Sequence, residues 1–253
     1  TGNSNTGIGC SALTTNTTGG YSVAVGYNAL GANTTGGGNV AVGWKALEAN
    51  TTASDNTAVG RQSLYANTTG TYNTAVGRST LISNTTASYN TAFGRQALYA
   101  ATTGGSNIAF GPNALVSVVT GSFNLAIGRN ALSANTVSDN IAIGNDAGDA
   151  LTTGVRNIGI GVSALSTQST AGYNTAIGWH SLQLNTTGQE HVAVGQNSLA
   201  SNTTGTQNTA LGGGALQNNT TGSANTAVGR DALISNTTAS NNTAVGFDAL
   251  NDN

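Results

Sequence analysis

The stretch Asn56-Thr57-Ala58-Val59-Gly60-Arg61-Gln62-Ser63-Leu64-Tyr65-Ala66-Asn67-Thr68-Thr69-Gly70 decides the fold. In an extended segment Thr57 and Val59 share one face, and Ala58 and Gly60 share the other. Asn and Gly clusters bound the segment, as turns require. A helix is disfavoured by the same residues: Gly costs about 1 kcal/mol against Ala in a helix interior, and Thr and Asn are weak helix formers. The segment therefore reads as a strand of about four or five residues. A second strand is expected around the later Leu and the small residue before it, as in Ser63-Leu64 and Ala46-Leu47.

The stretch is one copy of a repeat. Its motif glycine recurs as Gly9, Gly26, Gly43, Gly60, Gly77, Gly94, Gly111 and Gly128, then as Gly144, Gly161, Gly178, Gly195, Gly212, Gly229 and Gly246. Every step is 17 residues except Gly128 to Gly144, which is 16. That period is too short for the paired helices of common helical repeats. The expected fold is all-β: a parallel β-solenoid, or β-roll, of about fifteen 17-residue coils, with residues 1–253 as a single repeat domain. At about 4.8 Å per coil, fifteen coils predict a rod of roughly 70 Å. The chain starts inside one repeat and stops at the edge of another, which reads as a fragment of a longer fibrous protein.

The columns of the repeat assign its faces. A β-branched or large apolar residue precedes each motif glycine: Val25, Val42, Val59, Val76, then Phe93 and Phe110, then Ile127 and Ile143. With the Leu column (Leu30, Leu47, Leu64) it is expected to form a thin core, thickened locally by the two phenylalanines. The Ala/Gly face (Ala24, Ala41, Ala58, Ala75) has almost no side-chain volume. It can approach the opposite wall of its own coil or a neighbouring chain. If it faces a neighbour, Ala58→Leu and Ala75→Leu should destroy assembly. Asn stands four residues before the motif glycine in thirteen of fifteen copies, with Ser22 and His191 as the exceptions. It suits a turn, and stacked copies can form an amide ladder. At the 16-residue step a shortened corner is expected with the strand ladder continuing. Gly148 stands where Leu should be, and Leu151, in the second Asn column, is expected to swing inward.

Composition excludes several functions. Charged residues make up 6% of the chain and its formal net charge is −2, so no basic field holds nucleic acid or an anionic membrane surface. No apolar run approaches the length of a membrane span, so no membrane insertion is expected. Cys10 is the only cysteine, which rules out an intrachain disulfide. No nucleophile elbow, phosphate-binding loop or calcium nonapeptide occurs. Asp139, Asp146 and Asp149 gather near the irregular coil without the spacing of a site. His180 and His191 lie in different columns and read as surface replacements. The chain is thus read as no enzyme, with no cofactor and no metal.

The position after the motif glycine varies most. It holds Tyr27, Trp44, Arg61, Arg78 and Arg95 in five successive repeats. Three stacked arginines would repel one another if buried, so the column is expected at an exposed corner after the glycine. Aromatic and Arg residues are common in binding hot spots, which makes this a candidate ligand-facing stripe. The plainer reading, ordinary rim residues covering a corner, stands ahead of it.

The motif Asn-[Ser/Thr]-x-Ala-[Val/Ile]-Gly resembles the head repeats of trimeric autotransporter adhesins. The 17-residue unit looks still more like repeats of phage tail-fibre proteins and of bacterial surface proteins that end in an intramolecular chaperone domain. The resemblance covers essentially the whole chain. It implies a left-handed β-roll, a homotrimer whose strands ending at Gly26 and Gly43 face the trimer, and attachment to a glycan or protein of a host surface. The place implied is a virion tail fibre or a bacterial cell surface. The chain departs from the adhesin pattern in its 17-residue period and lacks a neck motif and heptad stalk. Two other readings stand beside the structural fibre: an ice-binding solenoid using the column Thr17, Thr34, Thr51, Thr68 and Thr85, and a monomeric carbohydrate-binding module.

Overall fold

The computed structural model describes residues 2–252. It divides into two compact units, Thr1–Asn124 and Leu125–Asn253. Each is a parallel β-solenoid in which strand order follows chain order. The first unit carries β1 (Thr6–Ile8), β2 (Val23–Val25), β3 (Val40–Val42), β4 (Thr57–Val59), β5 (Thr74–Val76), β6 (Thr91–Phe93) and β7 (Ile108–Phe110). The second carries β8 (Leu125–Ile127), β9 (Ile141–Ile143), β10 (Ile158–Ile160), β11 (Thr175–Ile177), β12 (Val192–Val194), β13 (Thr209–Leu211), β14 (Thr226–Val228) and β15 (Thr243–Val245). Like pairs with like: Thr57, Ala58 and Val59 oppose Thr74, Ala75 and Val76. Within each unit the inner coils hydrogen-bond to both neighbours. Thr57 N–H donates to the Asn73 carbonyl at 2.8 Å, and Gly60 N–H donates to the Val42 carbonyl at 2.7 Å.

The motif glycine makes this stacking possible. At Gly77 φ is +136°, and a Cβ there would stand 2.7 Å from the Gly94 carbonyl oxygen of the next coil. Both the dihedral and the close approach exclude a side chain, which explains why the position is glycine in every copy.

The expected second strand is absent among the described residues. The stretch after the motif glycine is a run of turns, and the Leu column lies in the left-handed region, with φ of 49° at Leu30 and 50° at Leu47 and Leu64. Left-handed backbone costs a non-glycine residue roughly 1–2 kcal/mol. Full burial of each Leu side chain returns roughly 1.5–3 kcal/mol. The inter-coil bond is also kept, since Leu47 N–H reaches the Ser63 carbonyl at 3.0 Å. Burial therefore decides the conformation, and the Leu enters the core from a turn.

The two faces of the strand are reversed from the expectation. Ala24, Ala41, Ala58 and Ala75 are fully buried, whereas the flanking Val, Thr, Ile and Phe positions are half-buried or exposed. The Ala face thus meets the inside of its own coil, the first of the two alternatives. The reason is volume. A narrow coil already filled by one Leu and two polar side chains leaves room for a methyl group opposite them, and overfilling a packed core is costly. Phe93 and Phe110 accordingly stack on the outside, centroids 4.7 Å apart and planes 8° from parallel. They do not thicken the core. Ala58→Leu would disrupt the coil itself and cannot report on assembly.

The remaining interior is amide. In the column four residues before the motif glycine, Asn39 Oδ1 accepts the backbone N–H of Asn56 at 3.0 Å, and Asn56 Nδ2 donates to the Gly70 carbonyl at 2.9 Å. A second column forms a side-chain ladder. Asn33, Asn50, Asn67 and Asn84 each donate Nδ2 to the Oδ1 of the Asn one coil earlier, at 2.7–3.0 Å. These side chains are fully buried and hydrogen-bonded, as buried polar groups must be. The second ladder stops at Ala101, which replaces the next rung, and Asn84 Oδ1 is left buried without a partner.

The 16-residue step lies in the second unit. Strand register continues through it, with Leu125, Ala126 and Ile127 opposite Ile141, Ala142 and Ile143. The missing residue is absorbed at the corner: Asn135 Nδ2 donates to the carbonyl of Val137, two residues on, where Asn67 uses that of Gly70, three on. Leu151 is fully buried, as expected. It takes the place of a ladder Asn, and the ladder resumes with Gln168, whose Oε1 accepts from Asn185 Nδ2 at 3.0 Å.

Candidate functional site

The stripe after the motif glycine lies wholly within the first unit. The positive φ of Gly26, Gly43, Gly60, Gly77 and Gly94 turns the chain out of the strand. Tyr27, Trp44, Arg61, Arg78 and Arg95 then stand exposed at equivalent places in successive coils. Tyr27 and Trp44 are 49% and 40% exposed and stack with centroids 6.4 Å apart. From the following coil the Arg61 guanidinium lies over the Trp44 ring, 5.0 Å from its centroid. Such a contact contributes about 0.5–1 kcal/mol at an exposed site. Trp44 thus has Tyr27 from the coil before and Arg61 from the coil after.

Lys45, Glu48 and Tyr65 join this end of the stripe, and the sequence reading passed over them. Lys45 Nζ is 3.0 Å from Glu48 Oε1, 5.1 Å from the Trp44 centroid and 5.7 Å from that of Tyr65. The hydrogen bond to Glu48 raises the Lys45 ammonium above its ordinary pKa, partly opposed by desolvation. Asn28 Nδ2 also donates to Glu48. The signal was present in the sequence, since Lys45 and Glu48 are three residues apart beside Trp44.

Arg78 and Arg95 continue the stripe into open solvent; Arg95 donates to Gln96 Oε1 at 2.9 Å. Among the described residues, ion pairs join Lys45 to Glu48, Arg129 to Asp146 and Arg230 to Asp231. The three successive arginines pair with no carboxylate.

The other polar clusters are not drawn together. Asp146 is tied to Arg129 at 2.7 Å, Asp139 is exposed, and Asp149 is half-buried. Burial, then the Asp146 charge, raises the Asp149 carboxyl above its usual range. Among the described residues no three His, Cys, Asp or Glu side chains converge. His180 stacks on Trp179, but His191 is no surface replacement. It is 1% exposed and stands in the first Asn column, where Nδ1 accepts the Asn208 backbone N–H at 3.2 Å. Ser22, the other exception, accepts the Asn39 N–H through Oγ at 3.2 Å. The column demands a hydrogen-bond acceptor, and a neutral imidazole supplies one.

In the Thr column, the hydroxyls of Thr34, Thr51 and Thr68 each donate to the carbonyl of the equivalent Thr one coil on, at 3.0, 3.3 and 3.0 Å. They stitch coils together. A larger feature is the outer face of the strands. Its two columns, three residues and one residue before each motif glycine, contain only Thr, Val, Ile, Leu and Phe in all fifteen copies. In the first unit Ile108 is 41% and Phe110 40% exposed, and in the second Ile127, Ile177 and Val192 are exposed as well.

The fold and these surfaces define a parallel β-solenoid repeat protein. No family model, curated protein or solved structure matches the chain.

Proposed function

We propose that the chain is the shaft or head of a homotrimeric surface fibre that attaches a virion tail or a bacterial cell to a host surface. The observation that carries the reading is the outer face of the strands, uncharged throughout and built of Thr, Val, Ile, Leu and Phe. Soluble monomers rarely expose contiguous apolar patches larger than a few hundred Å². A face free of charge in every repeat meets its own copy without like-charge repulsion, as a symmetric assembly requires. Each inner coil encloses a single Leu, so burying the outer Val, Ile and Phe columns against other copies adds the apolar burial that a thin solenoid lacks. The repeat's resemblance to tail-fibre and adhesin repeats points to the same assembly and supplies the attachment role.

Size-exclusion chromatography with light scattering tests the assembly. The mass expected is three times the 24.9 kDa chain. Val42→Lys with Val76→Lys places charge on the outer face two coils apart and should reduce the mass to that of one chain, with the far-ultraviolet circular dichroism unchanged. A wild-type mass of one chain would defeat the trimer.

A further inference from the structure

We infer that the Arg61–Arg78–Arg95 row, with Trp44 and Tyr27 at its end, binds a linear acidic polysaccharide laid along the first unit, one guanidinium to each coil. β4, β5 and β6 are in continuous register, so the three arginines leave the backbone at the strand spacing, about 4.8 Å apart. All three are exposed. Arginines occupying the same column elsewhere have acid partners: Arg129 reaches Asp146 and Arg230 reaches Asp231. Beside the three-arginine row the corresponding neighbours are Gln62, Ser79 and Gln96, which accept hydrogen bonds but neutralise nothing. Three of the chain's seven basic residues are thus stacked without counter-charge in a molecule of net charge −2. Like charges at this spacing repel; Arg61 lies over Trp44, but no carboxylate among the described residues pairs with the row. An anionic ligand would.

The spacing selects the kind of anion. Guanidinium forks grip planar carboxylates, and pairs of oxygens on tetrahedral oxyanions such as sulfate, through paired hydrogen bonds. A row with one fork per coil suits a polymer whose anionic groups recur at a short, even interval. The rise per sugar of an extended glycan is close to the coil spacing, so acidic groups on successive or alternate sugars fall opposite successive or alternate arginines. The aromatic end fits this polymer in a limited way. Arg61 and Tyr27 already lie against Trp44. Tyr27 has Trp44 in the coil after it and Cys10 in the coil before, which leaves the Tyr27 face towards Cys10 for a sugar ring. Single-stranded nucleic acid fits less well. Its bases need several open ring faces, and its backbone rewards a larger excess of positive charge.

This proposal names the receptor chemistry for the attachment reading, but its test does not require the trimer. Fluorescein-labelled alginate and heparin oligosaccharides, carrying carboxylates and sulfates respectively, are titrated with the whole chain and followed by anisotropy. Dextran of equal length is the neutral control, and mass is measured by light scattering in the same buffer. Expected are binding of at least one acidic glycan, no binding of dextran, and an affinity loss of at least tenfold in Arg61→Ser/Arg78→Ser/Arg95→Ser. The same charge removed elsewhere, in Arg129→Ser/Arg156→Ser/Arg230→Ser, should cost less than twofold. The proposal is overturned if neither acidic glycan binds, if dextran binds equally, if the triple variant binds like wild type, or if single-stranded DNA of equal charge binds more tightly than both glycans. A chain that binds acidic glycan as a monomer keeps this site and loses the trimer; a trimer that binds neither glycan does the reverse.

Discussion

Acidification from pH 7 to about 4 should remove about 3 kcal/mol of stability through one residue, His191. Its side chain is buried in a column otherwise held by Asn and Ser, and its Nδ1 accepts the Asn208 N–H at 3.2 Å. A proton on Nδ1 would point at that N–H and remove the acceptor. Burial pushes the imidazole down from 6.5 to about 4, partly opposed by its backbone hydrogen bonds at Gly205 and Asn208. The folded protein therefore holds His191 neutral where the unfolded chain takes up a proton. No stability is lost above about pH 6.5. It falls as the pH drops towards 4, and the contribution is constant below that. The gap between 6.5 and about 4, at 1.36 kcal/mol per pH unit, gives about 3 kcal/mol. His191→Asn restores the residue common to the column and cannot titrate there. Urea unfolding followed by circular dichroism, at several pH values in this window, should show a larger acid loss in wild type than in His191→Asn by that amount. Carboxylates contribute equally to both proteins and cancel in the difference. Equal losses in the two, or an NMR titration of His191 with a midpoint near 6.5, would refute the reasoning.

Two further substitutions probe the interior. Asn50→Ala removes the donor to Asn33 Oδ1 and to the Ala53 carbonyl, and the acceptor for Asn67 Nδ2. At roughly 1–3 kcal/mol for each buried group left unsatisfied, it should destabilise more than Asn84→Ala, because Asn84 Oδ1 accepts nothing; urea midpoints of the two variants decide this. Gly77→Ala forces a Cβ to 2.7 Å from the Gly94 carbonyl oxygen at a φ of +136°. It should cost at least about 1–3 kcal/mol from the backbone conformation alone, and a thermal midpoint within error of wild type would contradict the glycine argument.

Much of the architecture was legible because stacking converts sequence period into spatial register. The glycine column, the parallel order and the continuity of register through the Gly128–Gly144 step follow from spacing alone. The inside of the coil was not legible, for a reason visible at Ala58 and Val59. Alternation separates the two residues but does not say which faces inward. Hydrophobicity favours Val59, whereas the volume left by Leu64, Asn56 and Asn67 admits only Ala58. The Leu column was misread as strand because nothing local to Leu47 announces a left-handed turn, and burial outweighs the backbone preference there. His191 was misread because one histidine among asparagines looks like surface variation until the column is known to need an acceptor. That the column after the motif glycine is exposed was legible at Arg61, Arg78 and Arg95, since three adjacent arginines admit no buried arrangement. Lys45 and Glu48 escaped notice because they stand outside the repeating columns.

The second amide ladder has a consequence for how the chain can be made. Asn33, Asn50, Asn67 and Asn84 each begin an Asn-x-Thr triplet, the acceptor signal for N-linked glycosylation. Their side-chain nitrogens are buried and spend their hydrogens on the neighbouring coil and on a backbone carbonyl. A sugar on any of these nitrogens and the closed coil are mutually exclusive. In a compartment with the glycosylating machinery, coil closure and oligosaccharide transfer would compete for the same atoms, and each triplet modified first would be a coil that never closes.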